Sequence, residues 1–377
     1  MTTINQLIEE LKITNITHAK LKDVCNLQTG QYLPPSKQNG GCIPVITNSN
    51  GIFGFTSKSN HQNACITIAS RGYAGKTIQY WSKPIWASQC ITVECKNSAL
   101  NMHYLYYFLL SIKDKIFSLV QVSGVPALYN RDLYNLDIYF PSLPYQQQIV
   151  KILDDFAELE AELEAELEAR KKQYDYWLHT LLNPNIVSLF DNKNFTYAKL
   201  KDVCDFERGS YISSDDMLNG YIPVISGGEF PVGYANKYNR DYPCISISSS
   251  GYAGKNILYH NEKFWACDCI TIISKNSNVL NLKYLYYWIL TIRETLLHLA
   301  HAFKKSFAHI YAKDLYNLEI PIPSIKAQQY IVSILDQFNN LTSNLQDGIP
   351  AEIKLRKEQY HYYLKQLLSF KNKYDNH

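Results

Sequence analysis

The sequence contains the same unit twice, and this internal repeat constrains the fold more than any other feature. AKLKDVC at 19–25 returns at 198–204, and GYAGK at 72–76 returns at 251–255, in both cases 179 residues later. The matching pairs YLYY, DLYNL, QQxIVxILD and RKKQYDYWL/RKEQYHYYL follow in the same order. The 377 residues are therefore two copies of about 180 residues, and both copies are expected to share one fold.

Each copy consists of a globular module followed by a long helix. The modules hold short β-type runs such as IPVIT and CITVEC, separated by clusters of Gly, Pro, Asn and Ser, and one apolar helical stretch. The fold class expected is α+β, with two mixed α/β modules alternating with two long helices. The predicted boundaries are an N-terminal helix (1–17), the first module (18–143), the first long helix (144–182), a linker (183–196), the second module (197–323), the second long helix (324–369) and a tail (370–377).

Apolar residues recur every three or four positions along both long helices, which is typical of coiled coils. This helix seam consists of Ile149, Ile152, Phe156, Leu163, Tyr174, Ile331, Ile334, Phe338, Leu345 and Tyr360. A helix of about 38 residues is roughly 57 Å long, which exceeds what a module of about 125 residues needs. Packing of the two helices on each other is therefore favoured over the alternative, in which each helix packs on its own module.

The two long helices differ in one place. The stretch between their shared Asp and Arg is four residues longer in the second copy, where it reads LQDGIPAEI. Gly348 followed by Pro350 predicts that the helix stops and restarts there. The first copy has AELE three times at 157–168, which predicts an uninterrupted helix.

Composition indicates a folded protein, with 46% apolar and 19% charged residues. The sequence has no run of 18 apolar residues, and its N-terminus lacks the apolar stretch of a signal peptide. A cytoplasmic protein with no membrane contact is therefore expected. The nine cysteines include no CxxC pair, so we expect buried thiols and no metal site.

Enzyme motifs are absent from the sequence. GYAGKT at 72–77 resembles the end of a phosphate-binding loop, but Ser70 stands where the first glycine is required, and the second copy reads GYAGKN. No adenine-methylation motif of the NPPY type, no HExxH and no GxGxxG after a strand is present. No catalytic residue is therefore expected in this chain.

The net charge of +3 conceals an uneven distribution. The first module has 11 basic and 5 acidic residues, for a net charge of +6, and the first long helix has 4 and 9, for −5. The second module has 13 and 12, for +1. A basic, Tyr-rich module with Gly, Ser and Asn loops is typical of a nucleic-acid surface, because Lys and Arg contact phosphates. The net charge of the second module, +1, is weaker support for DNA binding than the +6 of the first module.

Loops are the best candidates for DNA contact. SRGYAGK and SSGYAGK present hydroxyls, a Tyr and a Lys on a flexible turn, although a tight turn with Tyr73 and Tyr252 in the core is the alternative. Loops that differ between the copies, such as QVSGVPAL and HAFKKSF, are where different bases would be read. The candidate DNA-binding residues are Asn48, Asn50, Ser70, Arg71, Tyr73, Lys76, Ser123, Ser249, Ser250, Tyr252, Lys255, Lys304 and Lys305.

The chain resembles the specificity subunits of type I restriction–modification systems. The resemblance is carried by FPSLPYQQQIVKILD at 140–154 and IPIPSIKAQQYIVSILD at 320–336, one at each junction between module and helix. LEARKKQYDYW and GIPAEIKLRKEQYHYY match within the helices, and the resemblance covers almost the whole chain.

The resemblance implies that each module is a target recognition domain that reads one half of a split site in double-stranded DNA. It implies that the two helices form an antiparallel coiled coil, with internal pseudo-twofold symmetry, which separates the half-sites and docks two methyltransferase subunits. S-adenosylmethionine is then expected on those subunits, and ATP and Mg²⁺ on motor-nuclease subunits, with no cofactor bound by this chain.

Two other functions remain open from the residues alone. One is a non-catalytic coiled-coil adaptor with two protein-binding modules, which would show no salt-dependent binding to duplex DNA. The other is an enzyme with an unrecognised motif, which would be active as the isolated chain.

Overall fold

A computed structural model describes residues 4–122, 124–190, 195–217, 220–301, 308–344 and 346–370. The chain divides into two compact units, unit 1 with residues 1–164 and 353–377, and unit 2 with residues 165–352. Each unit contains one module together with segments of both long helices. The expected α+β class and the repeat are confirmed, since the two units contain the same elements in the same order.

Thirteen helices lie in the described residues. They are α1 (Ile4–Ile13), α2 (Leu21–Val24), α3 (Met102–Ser111), α4 (Lys113–Ser118), α5 (Asn130–Leu133), α6 (Leu143–Leu181), α7 (Pro184–Phe190), α8 (Leu200–Val203), α9 (Leu282–Thr291), α10 (Arg293–His301), α11 (Ala312–Leu315), α12 (Ile325–Ser343) and α13 (Ile349–Leu368). Helix α7 lies within the stretch that the sequence predicts as a linker, 183–196. None of the helices in the described ranges is both long and apolar enough to cross a membrane.

Nine strands lie in the described residues of each unit. In unit 1 they are β1 (Thr17–Lys20), β2 (Cys25–Thr29), β3 (Ile43–Ile46), β4 (Ile52–Thr56), β5 (Cys65–Ile68), β6 (Ile78–Trp81), β7 (Trp86–Ala87), β8 (Ile91–Cys95) and β9 (Asp137–Phe140). In unit 2 they are β10 (Thr196–Lys199), β11 (Cys204–Arg208), β12 (Ile222–Ile225), β13 (Gly233–Ala235), β14 (Cys244–Ser248), β15 (Ile257–His260), β16 (Trp265–Ala266), β17 (Cys269–Ser274) and β18 (Glu319–Ile322).

The sheets of the two units have the same topology. Unit 1 has an antiparallel four-stranded sheet β2–β8–β5–β6, a three-stranded sheet β4–β3–β7 in which β3 and β7 are parallel, and the antiparallel pair β1–β9. Unit 2 repeats this as β11–β17–β14–β15, β13–β12–β16 and β10–β18. Strands β5 and β14 are buried along their whole length, which explains why they read as continuous apolar runs rather than alternating ones.

Most cysteines are buried thiols, as expected. Burial raises the pKa of five of them to about 12, so these thiols stay protonated at neutral pH; they are Cys65, Cys90, Cys204, Cys244 and Cys269. Cys42 is the exposed exception. All nine cysteines are free of disulfides.

A buried glutamine fixes the long helix to its module in each unit. In unit 1 the side chain of Gln146, which is fully buried, accepts from the Asn101 N–H at 2.7 Å. Its amide group donates to the carbonyl oxygens of Ala99 and Pro141, both at 2.8 Å. Gln328 makes the same three hydrogen bonds in unit 2, to Asn281, Val279 and Pro323. The repeated QQxIV motif is thereby explained as a structural junction.

The aspartate that ends this motif makes a second link. The hydroxyl of Tyr107 donates to Asp154 at 2.5 Å, and the hydroxyl of Tyr287 donates to Asp336 at the same distance. Burial, together with this hydrogen bond, raises the pKa of both tyrosines well above the ordinary value. Tyr107 and Tyr287, the last residues of the two YLYY motifs, thus connect each module to its long helix.

The two predictions about helix continuity are confirmed. Helix α6 runs without a break through the AELE repeats, whereas α12 ends at Ser343 and α13 begins at Ile349. A Cβ at Gly348 would lie 2.6 Å from the carbonyl oxygen of Asn344 and 2.7 Å from that of Asn340, so only glycine fits there. Pro350 occupies the first turn of α13, where its missing N–H has no cost.

Candidate nucleic-acid interface

The loop between β5 and β6 in unit 1, residues 69–77, turns on two glycines. Gly72 and Gly75 have φ values of +65° and +67°, which side chains other than glycine rarely adopt. Between them Ala74 is buried against the module, while Tyr73 is 62% exposed. The loop therefore has one inward methyl group and presents an aromatic ring to solvent.

In unit 2 the equivalent segment, residues 248–256, begins at the last residue of β14, ends just before β15 and repeats this geometry. Gly251 and Gly254 have φ values of +63° and +72°, Ala253 is buried and Tyr252 is 59% exposed. We refer to residues 69–77 and 248–256 as the two glycine loops. The alternative in which Tyr73 and Tyr252 are core residues is wrong, because both rings lie at the surface.

Each glycine loop also carries an exposed lysine. Lys76 Nζ lies 5.0 Å from the ring centroid of Phe117, and Lys255 Nζ lies 5.7 Å from that of Tyr252. Arg71 is exposed at the start of its loop. Within the described ranges none of these three side chains forms an ion pair with a carboxylate, so their charge is available to phosphate groups.

In unit 1 the glycine loop is held by neutral groups. The amide oxygen of Asn48 accepts from the Ser70 N–H at 2.7 Å, and the Ser70 hydroxyl lies 3.2 Å from the same atom. That hydroxyl also contacts the carbonyl oxygen of Gln89 at 2.5 Å. Asn48 and Ser70 therefore position the loop, while Asn50 is exposed and accepts from Gln79 at 3.2 Å.

In unit 2 a carboxylate takes over this anchoring. The Ser249 hydroxyl donates to Asp268 Oδ1 at 2.9 Å, and the Ser250 hydroxyl donates to Oδ2. Gly227 occupies the position of Asn48, so no side chain reaches the loop from that direction. The predicted residues Ser249 and Ser250 are thus brought together by a residue that the sequence analysis did not select.

A cavity of about 430 Å³ opens beside this carboxylate in unit 2. Its polar lining residues are Arg208, Ser249, Ser250, Asp268, His309, Tyr311 and Lys313. A fixed acceptor and two cations that line the same cavity suit recognition of a polar ligand that carries both donors and acceptors. Among the described residues no group of three or more His, Cys, Asp or Glu side chains could hold a metal ion.

Sequence reasoning missed Gln89 and Asp268. The two residues stand at the same repeat position, in WASQCIT and WACDCIT, where the polar side chain differs between two copies that otherwise share most of the surrounding residues. That change was the available signal. Three predicted DNA-binding residues, Ser123, Lys304 and Lys305, lie outside the described residues, as does Leu345 of the helix seam.

The other members of the helix seam are at least half-buried. Ile149 and Ile331 are fully buried in the cores of their units. The half-buried members are Ile152, Phe156, Leu163, Tyr174, Ile334, Phe338 and Tyr360.

Within unit 1 the contacts between α6 and α13 follow a regular order. The ring centroids of Phe156 and Tyr363 lie 5.5 Å apart, and Lys357 Nζ lies 3.4 Å from Glu160 and 2.8 Å from Glu164. Residue numbers along α13 therefore fall as those along α6 rise. The hydrogen bond that Lys357 donates to Glu164 raises the pKa of Lys357.

Within unit 2, Leu178 and Leu181 of α6 share one core with Ile331 and Leu335 of α12. These leucines correspond to Leu364 and Leu367 of α13, which belong to the core of unit 1. Each module is thus completed by the C-terminal part of one long helix and the N-terminal part of the other.

Comparisons with known proteins identify the family. The family described as the type I restriction modification DNA specificity domain matches residues 15–169 and again residues 192–355. A protein named as a type I specificity subunit of Mycoplasma pneumoniae is 28% identical over 372 residues, covering 93% of this chain and 97% of that protein. The specificity subunit of a type I restriction enzyme of Escherichia coli is 27% identical over 368 residues, covering 87% of each chain.

A solved structure shares the fold. The S subunit of a type I restriction–modification system from M. genitalium has a TM-score of 0.69 to this chain at 20% identity, covering 94% of this chain and 96% of that one. Since the family match occurs once in each repeat and spans most of the sequence, the chain belongs to the type I restriction modification DNA specificity family.

Proposed function

We propose that this chain is the sequence-specific DNA-binding subunit of a type I restriction–modification complex and carries out no catalysis itself. Each module acts as a target recognition domain for one half of a bipartite site in double-stranded DNA. The observation that carries the proposal is the glycine loop, which presents an exposed Tyr and an accessible Lys once in each match to the DNA specificity family.

The chemistry of these loops suits duplex DNA. Arg71, Lys76 and Lys255 have no carboxylate partner in the described part of the chain, and phosphate contacts from such cations position a protein on DNA. Tyr73 and Tyr252 combine an apolar face with a hydroxyl, which suits contact with sugars and base edges. Because the two modules carry different anchoring residues, they would read different half-sites.

The two long helices would form an antiparallel coiled coil that sets the distance between half-sites. The opposite order of contacts between α6 and α13 in unit 1 supports this arrangement, as does the pairing of Lys357 with Glu160 and Glu164. The unbroken course of α6 through the AELE repeats supports a rigid spacer.

Two methyltransferase subunits would dock on these helices. Tyr176 and Tyr362 occupy equivalent repeat positions on α6 and α13 and are both strongly exposed. Exposed tyrosines are enriched in protein interfaces, and equivalent ones suit two copies of one partner. Those subunits would carry S-adenosylmethionine, and motor-nuclease subunits would add ATP and Mg²⁺.

The test is co-expression with the cognate methyltransferase subunit, followed by co-purification and methylome sequencing. One bipartite motif with a fixed gap is expected, together with duplex binding that weakens as salt rises. Purification without a methyltransferase, no methylated motif and no salt-dependent binding would favour the adaptor. Methylation or cleavage by the chain alone would favour an enzyme.

A deletion tests the role of the spacer. Removing residues 161–164 takes out one AELE unit, about 6 Å of helix, comparable to roughly one or two base-pair steps. The gap between half-sites is expected to change while both half-sites stay the same. Altered half-sites with an unchanged gap would contradict the spacer role.

A further inference from the structure

Gln89 and Asp268 occupy the same repeat position in the two units, just before β8 and β17, which pair with β5 and β14 in the four-stranded sheets. Both contact the glycine loop of their own unit. The carbonyl oxygen of Gln89 lies 2.5 Å from the Ser70 hydroxyl, and the carboxylate of Asp268 accepts from Ser249 and Ser250. The position is therefore fixed to the loop that presents the exposed tyrosine.

The backbone at Gln89 is strained. Its φ is +61°, and among the described residues it is the one residue other than glycine with a positive φ. Glycine would adopt this conformation without cost, whereas a long side chain costs about 1 kcal/mol or more. The Gln89 side chain is exposed and makes no hydrogen bond within the described ranges, so the fold gains nothing from it. Backbone strain of this kind is concentrated at functional sites.

The carboxylate of Asp268 is held in place while retaining acceptor capacity. Each of its oxygens accepts one serine hydroxyl, and a carboxylate has about four acceptor positions in total. The group lines the cavity beside Arg208 and Lys313. An acceptor held by two neighbours and facing a cavity is preorganised for a donor from outside the chain.

We propose that Gln89 and Asp268 are specificity-determining residues, each reading one base in the half-site of its own module; this rests on the proposed function. An amide both donates and accepts, which matches N7 and the N6 amino group of adenine in the major groove. A carboxylate only accepts, which matches the N4 amino group of cytosine. One half-site therefore contains an adenine read by Gln89, and the other a cytosine read by Asp268.

The experiment compares methylomes of cells that express the methyltransferase with each variant of the full-length chain. Gln89→Gly removes the amide and relieves the strain, so it is expected to fold at least as well as the parent chain. Discrimination at one adenine position should fall about 10- to 100-fold, with the other half-site and the gap unchanged. Asp268→Asn should relax one cytosine position in the opposite half-site.

Two further variants serve as controls. Gln89→Asn keeps the amide and tolerates positive φ, so it should retain the preference for adenine. Glu262→Gln removes one negative charge from an exposed loop of unit 2 and should leave the motif unchanged. Unchanged motifs in both Gln89→Gly and Asp268→Asn, or changes of both within one half-site, would overturn the assignment. A parent complex that methylates no bipartite motif would instead refute the proposed function.

Discussion

In unit 1 the glycine loop is held by an amide side chain and a carbonyl group, whereas in unit 2 it is held by a carboxylate. The turns themselves are alike, because both copies keep the two glycines with positive φ and the buried alanine between them. The comparison shows that the turn is encoded by residues that face inward. The anchors can then change without altering the loop, which lets one fold present two recognition surfaces.

A second pair of equivalent positions, 61 and 240, also differs between the units. In unit 1 His61 is buried, and its Nδ1 lies 2.5 Å from Glu94 Oε1. In unit 2 the corresponding residue is Arg240, which is 5% exposed and contacts Glu207 at 3.1 Å. Both connect the three-stranded sheet region to the four-stranded sheet, but the arginine makes more hydrogen bonds. Unit 2 should therefore depend more strongly on this residue.

The largest expected effect is one that the two units share. Gln146→Ala and Gln328→Ala each leave three backbone groups without the partners that this buried side chain provides, so each should lower the free energy of unfolding of its unit by roughly 3–5 kcal/mol. Urea denaturation, with hydrogen exchange used to locate the unfolded unit, measures this. Gln147→Ala and Gln329→Ala, at the exposed next positions, are the matched controls. Clearly unequal losses would show that the junctions are not equivalent.

The next effect should separate the units. Arg240→Ala removes the group that donates to Thr271 Oγ1 at 2.8 Å and to two backbone carbonyl oxygens. We expect a loss of roughly 3 kcal/mol in unit 2, and a smaller loss for His61→Ala in unit 1. Thermal unfolding of both variants measures the difference. A larger loss for His61→Ala would reverse the comparison.

Acid should also affect the units differently. Burial lowers the pKa of His260 in unit 2 to about 4, and its ring bonds Ser246 at 2.8 Å; Trp81 holds the same position in unit 1. In the unfolded chain the imidazole of His260 has its ordinary pKa of about 6.5, so it takes up a proton more readily than in the folded unit. The free energy of unfolding therefore decreases as pH falls from about 6.5 towards 4.

This acid effect should reach roughly 2 kcal/mol in unit 2 at about pH 4.5. Urea denaturation at about pH 7 and about pH 4.5 measures it. His260→Gln cannot titrate and should remove this part of the pH dependence. An unchanged slope in that variant would assign the acid sensitivity to other groups.

The smallest expected effect on stability comes from the exposed tyrosines. Tyr73→Ala and Tyr252→Ala should change the free energy of unfolding by less than about 0.5 kcal/mol, because both rings lie at the surface. Binding of the methyltransferase complex to duplex DNA should nevertheless weaken about tenfold for each. Fluorescence anisotropy measures this, with Tyr197→Ala, an exposed tyrosine on β10, as the control. Equal affinity for all three variants would remove the loops from the interface.

The sequence predicts the repeat, the continuous helix α6 and the break near Gly348, because these depend on local signals of spacing, glycine and proline. It does not predict the composition of the two compact units. Leu364 and Leu367 lie in the core of unit 1 although they are more than 200 residues from most of that core. Periodicity identifies an apolar face but not the surface that covers it.

The candidate site was predicted in part. The glycine loops were found from their repetition, but Asn48 and Ser70 position the loop of unit 1 rather than facing solvent. Gln89 was missed because positive φ at a glutamine leaves no compositional signal. Asp268 was missed because its contacts with Ser249 and Ser250, 19 and 18 residues away, depend on how the strands of the sheet pair.

The division of the chain into units also bears on the order of folding during synthesis. Unit 2 is continuous and can complete its core once residue 352 has left the ribosome. Unit 1 begins before unit 2 in the chain, yet its core includes Leu364 and Leu367 and cannot close until those residues have been made. The first module to emerge is therefore the last to be completed, and until then it exposes the apolar surface that α13 will cover.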